Sequence, residues 1–165
     1  MSKVFLKTII TLMLGSVSLV ASAGSDIQIQ DPWVQAPPPN AKVLAAYLEI
    51  KNNGEKPQIL TNVSSPAFDQ VGIHQSMMHG DMVHMEQLNE LVIPSHASVV
   101  LTPGGLHLML TGAKKPLRID DQVSMTLIFK NGEKIEVKAT VRSGPPGGME
   151  DHQHMDHSGH GSHNH

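Results

Sequence analysis

Three features of the sequence predict an all-β fold, a sandwich or barrel with Greek-key connections. No window carries a sustained helical stripe of apolar residues, turn residues recur at short intervals, and the runs between them are short and rich in β-branched and aliphatic side chains. The 165 residues leave room for one domain once the two ends are set aside. Aromatic residues make up only 3% of the chain, so its core must be mainly aliphatic.

Residues 26–34 alternate weakly and contain Pro32, which predicts an edge strand closed by the Ala36-Pro37-Pro38-Pro39-Asn40 loop. Residues 43–52 predict a strand ended by the turn Asn53-Gly54-Glu55-Lys56-Pro57. Short strands follow at 59–64 and 71–78, separated by Ser65-Pro66, and then at 82–88, 98–102 and 107–111. The last two, 123–129 and 134–141, flank Lys130-Asn131-Gly132-Glu133, and an Asn-Gly between apolar runs is a strong hairpin signal.

The ends differ in composition. Residues 1–23 carry Lys3 and Lys7, an apolar run over 9–20 and the small-x-small Ala21-Ser22-Ala23, which predicts a signal peptide cleaved before Gly24. The apolar run is shorter than the roughly 20 residues of a membrane-spanning helix, so no span is expected after cleavage. The domain is expected over 24–143, followed by a Gly/Pro linker at 144–148. Residues 149–165 hold six of the eleven histidines and no aliphatic core residue, which predicts a tail disordered without metal.

The first 23 residues contain two lysines and no acid, so the 12 basic residues fall to 10 against 15 acidic ones and the mature charge is −5. No basic patch is offered to nucleic acid or to an anionic membrane surface. The cysteine count of zero excludes disulfide staples, thiol catalysis and a blue-copper electron-transfer site.

The most specific chemistry lies in four residues: His74, Met85 after ten intervening positions, His107 after twenty-one more, and Met109 two places on. If Gly80-Asp81 is a two-residue turn, His79 faces Met82, Gln87 faces His74 and Met85 faces Ser76. His74 and Met85 then become diagonal neighbours on one face. His107 and Met109 share a face in an extended segment, and Pro103-Gly104-Gly105 supplies a bend that could bring the two pairs together. Two imidazoles and two thioethers suit Cu(I), a soft ion, whereas zinc sites rarely use methionine and calcium or magnesium want oxygen.

Met77, Met78, His79, Met82 and His84 crowd the same hairpin. By the same parity Met77, His79, Met82 and His84 face away from His74. Core packing or a solvated tip is their simplest account, with an auxiliary ligand role as the alternative. His96 reads as a solvated turn residue, and the basic run from Lys114 to Arg118 as a solvated loop. In the tail, His152, His154, Met155, His157, His160, His163 and His165 form an irregular set of ligands among acids, suited to Cu(II) and also to nickel or zinc.

The four-residue spacing, in the contexts Val71-Gly72-Ile73-His74 and Gly104-Gly105-Leu106-His107-Leu108-Met109-Leu110, resembles the PCuAC family of periplasmic copper chaperones. Asp31-Pro32-Trp33-Val34 and the strand from Ala45-Ala46-Tyr47 to Asn52 support the likeness, which covers roughly residues 27–141. The resemblance implies a single cupredoxin-like Greek-key domain binding one Cu(I) through His74, Met85, His107 and Met109. It also implies delivery of that copper to the CuA site of cytochrome c oxidase subunit II, often alongside a Sco-type protein. Family members frequently have glutamate after the first histidine, where this chain has Gln75.

A monomeric periplasmic copper chaperone, with a tail that captures additional Cu(II), is therefore the expected function. A copper-sequestering or tolerance protein without a dedicated client is the alternative. An enzyme is not expected, because no acid/base pair, redox cysteine or substrate pocket can be read in the sequence.

Overall fold

A computed structural model describes residues 25–38, 41–79 and 82–145. The predicted signal peptide, Gly80-Asp81, the linker beyond Pro145 and the histidine-rich tail lie outside the described residues. Ten strands and no helix occur among those residues: β1 (Ile27–Gln35), β2 (Val43–Asn52), β3 (Gln58–Ser64), β4 (Phe68–His79), β5 (Met82–Leu88), β6 (Leu91–Ile93), β7 (Ala97–Leu101), β8 (Leu106–Ala113), β9 (Gln122–Phe129) and β10 (Lys134–Arg142).

The strands form one continuous sheet in the order β5-β4-β8-β2-β1-β10-β9-β3-β6, with β7 sharing an edge of β2 with β8. The sheet folds over so that β3 comes back against β4 and β6 against β7. Its inner face is aliphatic, as the composition requires. Ile50, Leu60, Ile93, Leu108, Leu110, Leu127 and Val141 are fully buried in a single core with Phe129 and Met125. Strand β9 shows the alternation in its plainest form: Val123, Met125, Leu127 and Phe129 point inward and the residues between them do not.

β1 departs from the expectation of an edge strand. It lies between β2, antiparallel, and β10, parallel, and so joins the two halves of the sandwich. Proline lacks the N–H that a central ladder needs, and the chain accommodates Pro32 at a bulge. The β1–β2 register shifts between Gln30 and Trp33, and Asp31 takes a positive φ of 45°. Beyond the bulge Trp33 pairs with Tyr47, their ring centroids 4.6 Å apart.

The Asn-Gly hairpin joins β9 to β10. Gly132 adopts φ of +89° and its N–H donates to the Phe129 carbonyl, while the Phe129 N–H donates to Glu133, the pattern of a turn closed by a glycine bulge. Strand β6 is the one element that sequence periodicity did not indicate, since three residues are too few to show a period. It is anchored by Asn52, fully buried at the end of β2, whose side-chain amide donates to the carbonyls of Ile93 and Pro94 while its oxygen accepts from the Gly54 N–H.

Candidate metal centre

The site is carried by three neighbouring antiparallel strands, β5, β4 and β8. In the β4–β5 hairpin His79 pairs with Met82, Ser76 with Met85 and His74 with Gln87, which is the register expected for two intervening residues. The arrangement of the second pair differs from the expectation. No bend brings two separate hairpins together; β8 is hydrogen-bonded directly to β4, and His74 stands opposite His107. Met109 stands opposite Gly72. Directly opposed residues share a face, so His74, His107, Met85 and Met109 all belong to one face of this three-stranded surface. The other face turns Ile73, Leu108 and Leu110 into the core.

The two imidazoles are the preformed part. Both are buried, at 7% and 6% exposure, and their ring centroids lie 5.9 Å apart with planes 26° from parallel. The Nδ1 of His107 lies 3.0 Å from the Gly105 carbonyl oxygen. A carbonyl only accepts, so this bond places the proton on Nδ1 and leaves the Nε2 lone pair for a metal. The same carbonyl accepts from the Ser76 N–H at 3.1 Å, tying β4 to the loop before β8 just past the last β4–β8 pair.

His74 is positioned by an absence of side chain. A Cβ on Gly72 would come within 2.7 Å of His74 Nε2, so the ring lies over the glycine and directs that nitrogen toward the row holding Met109. Any larger residue at 72 would displace the ring.

The thioethers are less evenly placed. Met109 is half-buried beside the histidine pair, whereas Met85 is 56% exposed on the outer strand. Each lies about 7–8 Å from a histidine along a diagonal or along its own strand. On a flat sheet, however, the two methionine Cβ atoms would be about 17 Å apart, too far for both sulfurs to reach one ion without twist or movement. His74, His107 and Met109 therefore make a fixed corner, and Met85 rides on a hairpin arm. That arm has room to curl, because β8 begins at Leu106 opposite Gln75 and pairs with nothing beyond it on β4. Met78, 68% exposed and opposite Val83, stands further along the same face.

Among the described residues no three His, Cys, Asp or Glu side chains gather to hold a metal ion. The histidine pair reaches a fuller shell only with sulfur, which favours a soft cation. The tail residues His152, His154, Met155, His157, His160, His163 and His165 lie outside the described residues. Sequence reading did not single out Gly72 or Gly105 as positioning residues. Each stands only two residues before the histidine it positions, and neither residue type nor period marks such a contact.

Burial, and after it the neighbouring His107, holds the His74 imidazole below its ordinary value of 6.5. The unfolded chain thus takes up this proton before the folded one does. The associated stability is fully present above about 6.5 and is lost as pH falls toward the lower folded value. We expect urea denaturation of the metal-free protein to show stability rising with pH up to about 6.5 and then levelling, with the rise reduced in His74→Asn. An unchanged profile in that variant would remove His74 as its source.

The described fold has relatives. Residues 27–141 match the family described as "Putative lipoprotein LpqE-like". Over 146 residues the chain is 30% identical to the "Putative lipoprotein Lxx21020" of Leifsonia xyli subsp. xyli, an alignment spanning 82% of this chain and 87% of the relative. Among solved structures, the apo PCuAC domain from PmoF1 superposes with a TM-score of 0.62 at 26% identity, covering 72% of this chain and 95% of that domain. The Cu(I) form of DR1885 from Deinococcus radiodurans gives a TM-score of 0.58 at 28% identity, covering 77% of this chain and 83% of that one. The ten-stranded sheet is the cupredoxin-like sandwich of these domains, and the chain belongs to the LpqE-like, PCuAC-type family.

Proposed function

We propose that this protein is a periplasmic copper chaperone that holds Cu(I) at His74, His107, Met109 and Met85. The observation that carries this reading is the β4–β8 register, which sets two buried imidazoles side by side with a methionine two places from each along or across the strands. Relatives whose solved structures are copper-loaded, the Cu(I) form of DR1885 among them, support copper as the ion. Neutral imidazole and thioether ligands match a soft monovalent cation and need no proton release above the imidazole range.

The cargo is held between groups of unequal commitment. His107 has one nitrogen occupied by Gly105, and His74 is seated over Gly72. Met85 is exposed on the arm, so it is the ligand that an incoming client ligand replaces first. Ligand-by-ligand exchange of this kind transfers copper without exposing a free ion. The client in this reading is the CuA site of cytochrome c oxidase subunit II, served alongside a Sco-type protein, and the protein acts as a monomer. The tail residues, from His152 to His165, serve as a separate collector of Cu(II).

Export is supported by the predicted signal peptide and by the lipoprotein names of the relatives. The lipid attachment in those names is not carried over, because these 165 residues contain no cysteine to bear a thioether-linked lipid. The second reading, a copper buffer without a client, draws on the six tail imidazoles, more than one transfer site requires.

Competition titration with a Cu(I)-specific chelator tests the domain site. Met85→Ala with Met109→Ala should weaken the tightest-bound Cu(I) by more than the roughly 100-fold that loss of an outer-shell partner costs, and an unchanged affinity would end the assignment. Truncation after Gly148 should abolish most Cu(II) uptake and spare that Cu(I); full retention of Cu(II) would refute the collecting role of the tail. Gene deletion separates the two readings: a chaperone's loss lowers oxidase activity at scarce copper, whereas a buffer's loss causes copper sensitivity with normal oxidase activity.

A further inference from the structure

The hairpin that carries Met85 has a second sulfur- and nitrogen-bearing surface on its other side. In the β4–β5 ladder Met77 pairs with His84 and His79 with Met82, and these pairs belong to the parity opposite to that of His74. Nearer the base of the hairpin this parity belongs to the core, through Ile73 at 4% exposure. At the tip it does not: Met82 is 65% exposed, His84 is exposed and Met77 is half-buried.

Core packing leaves the methionine at position 82 unexplained. A methionine that serves as filler in this fold looks like Met125, 1% exposed in the middle of β9. An exposed thioether gains little burial energy, and its flexibility makes it costly to order without a partner.

The geometry of this group is tighter than that of the four residues on the first face. Met77 and His84 are directly opposed, which puts their Cβ atoms about 4.5–5.5 Å apart, and Met82 is about 7–8 Å from Met77 on the diagonal. All three belong to two successive same-face rungs of one ladder, with only the Met78–Val83 pair between them, so their long side chains can meet over a single point without movement of the backbone.

We propose that Met77, Met82 and His84 form a second binding site for a soft monovalent d10 cation, Cu(I) or its analogue Ag(I), back to back with the first. The hairpin then carries two ions, one on each face, and the outer site is the more exposed. This inference does not require the chaperone reading. It rests on the register of the hairpin alone and holds whether or not the first site delivers its ion.

The test uses the full chain labelled at the methionine methyl groups and titrated with Ag(I), a diamagnetic stand-in, with resonances followed by NMR. Met85 and Met109 report the first site, Met77 and Met82 the second, and Met155 the tail. The expected result is movement of the Met77 and Met82 methyls as a separate step from Met85 and Met109. In Met82→Leu with His84→Ala the Met77 response should vanish while Met85 and Met109 respond as before, and bound Cu(I) should fall by one equivalent. These positions are exposed, so the double variant should fold. Met77 and Met82 methyls that stay still at excess Ag(I), or a Met77 methyl that still responds in the double variant, overturn the second site. Movement of Met77 and Met82 with Met85 and Met109 silent would instead uphold it and overturn the first.

Discussion

The pairing of β4 with β8 is the constraint on which the site depends. The ladder runs from Phe68 opposite Ala113 to Gln75 opposite Leu106, and it sets His74 against His107 one pair before its end. Its register is enforced from the other face, where Ile73, Leu108 and Leu110 enter the core. A slip of β8 by one residue would turn Leu108 and Leu110 outward and send His107 inward. Each buried aliphatic of this size contributes about 1.5–3 kcal/mol, so the hydrophobic face holds the histidine-bearing one in place. The core and the candidate site are two sides of the same strands.

From that ladder outward the site becomes progressively less fixed. The imidazoles are buried and supported, His107 by the Gly105 carbonyl and His74 by the open space over Gly72. Met109 is half-buried next to them, and Met85 is exposed on a strand whose outer part has no neighbour on the β8 side of its hairpin. A protein that must both retain and surrender an ion needs such a gradient. Ligands that were all locked would trap the cargo, and ligands that were all mobile would hold it weakly. The same freedom of the arm leaves its reverse face open, where Met77, Met82 and His84 are brought together by the alternation of a strand that has run past the core.

Much of this was written locally. The all-β class followed from turn spacing and the absence of a helical period, and the β4–β5 register followed from counting across Gly80-Asp81 on the condition of a two-residue loop, since a three-residue loop would flip the parity. Other features were not local. Pro32 signalled an edge strand because a proline removes a ladder donor, yet a bulge at Asp31 lets β1 sit at the centre of the sheet. Strand β6 is too short to show a period and exists because Asn52 and β3 hold it.

The sequence by itself determined which residues could bind a soft metal and, given a two-residue loop at Gly80-Asp81, that Met85 and His74 share a face of their hairpin. Residue type and a two-residue period are properties of the chain. Only the tertiary structure decided that His74 and His107 are direct neighbours, that Gly72 and Gly105 orient them, and that Met85 stands apart from Met109. The first and last of these relations join residues far apart in the chain. They are set by which strand edges pair when the aliphatic faces close on one another, a choice made by the packing of the whole core and not by any segment within it.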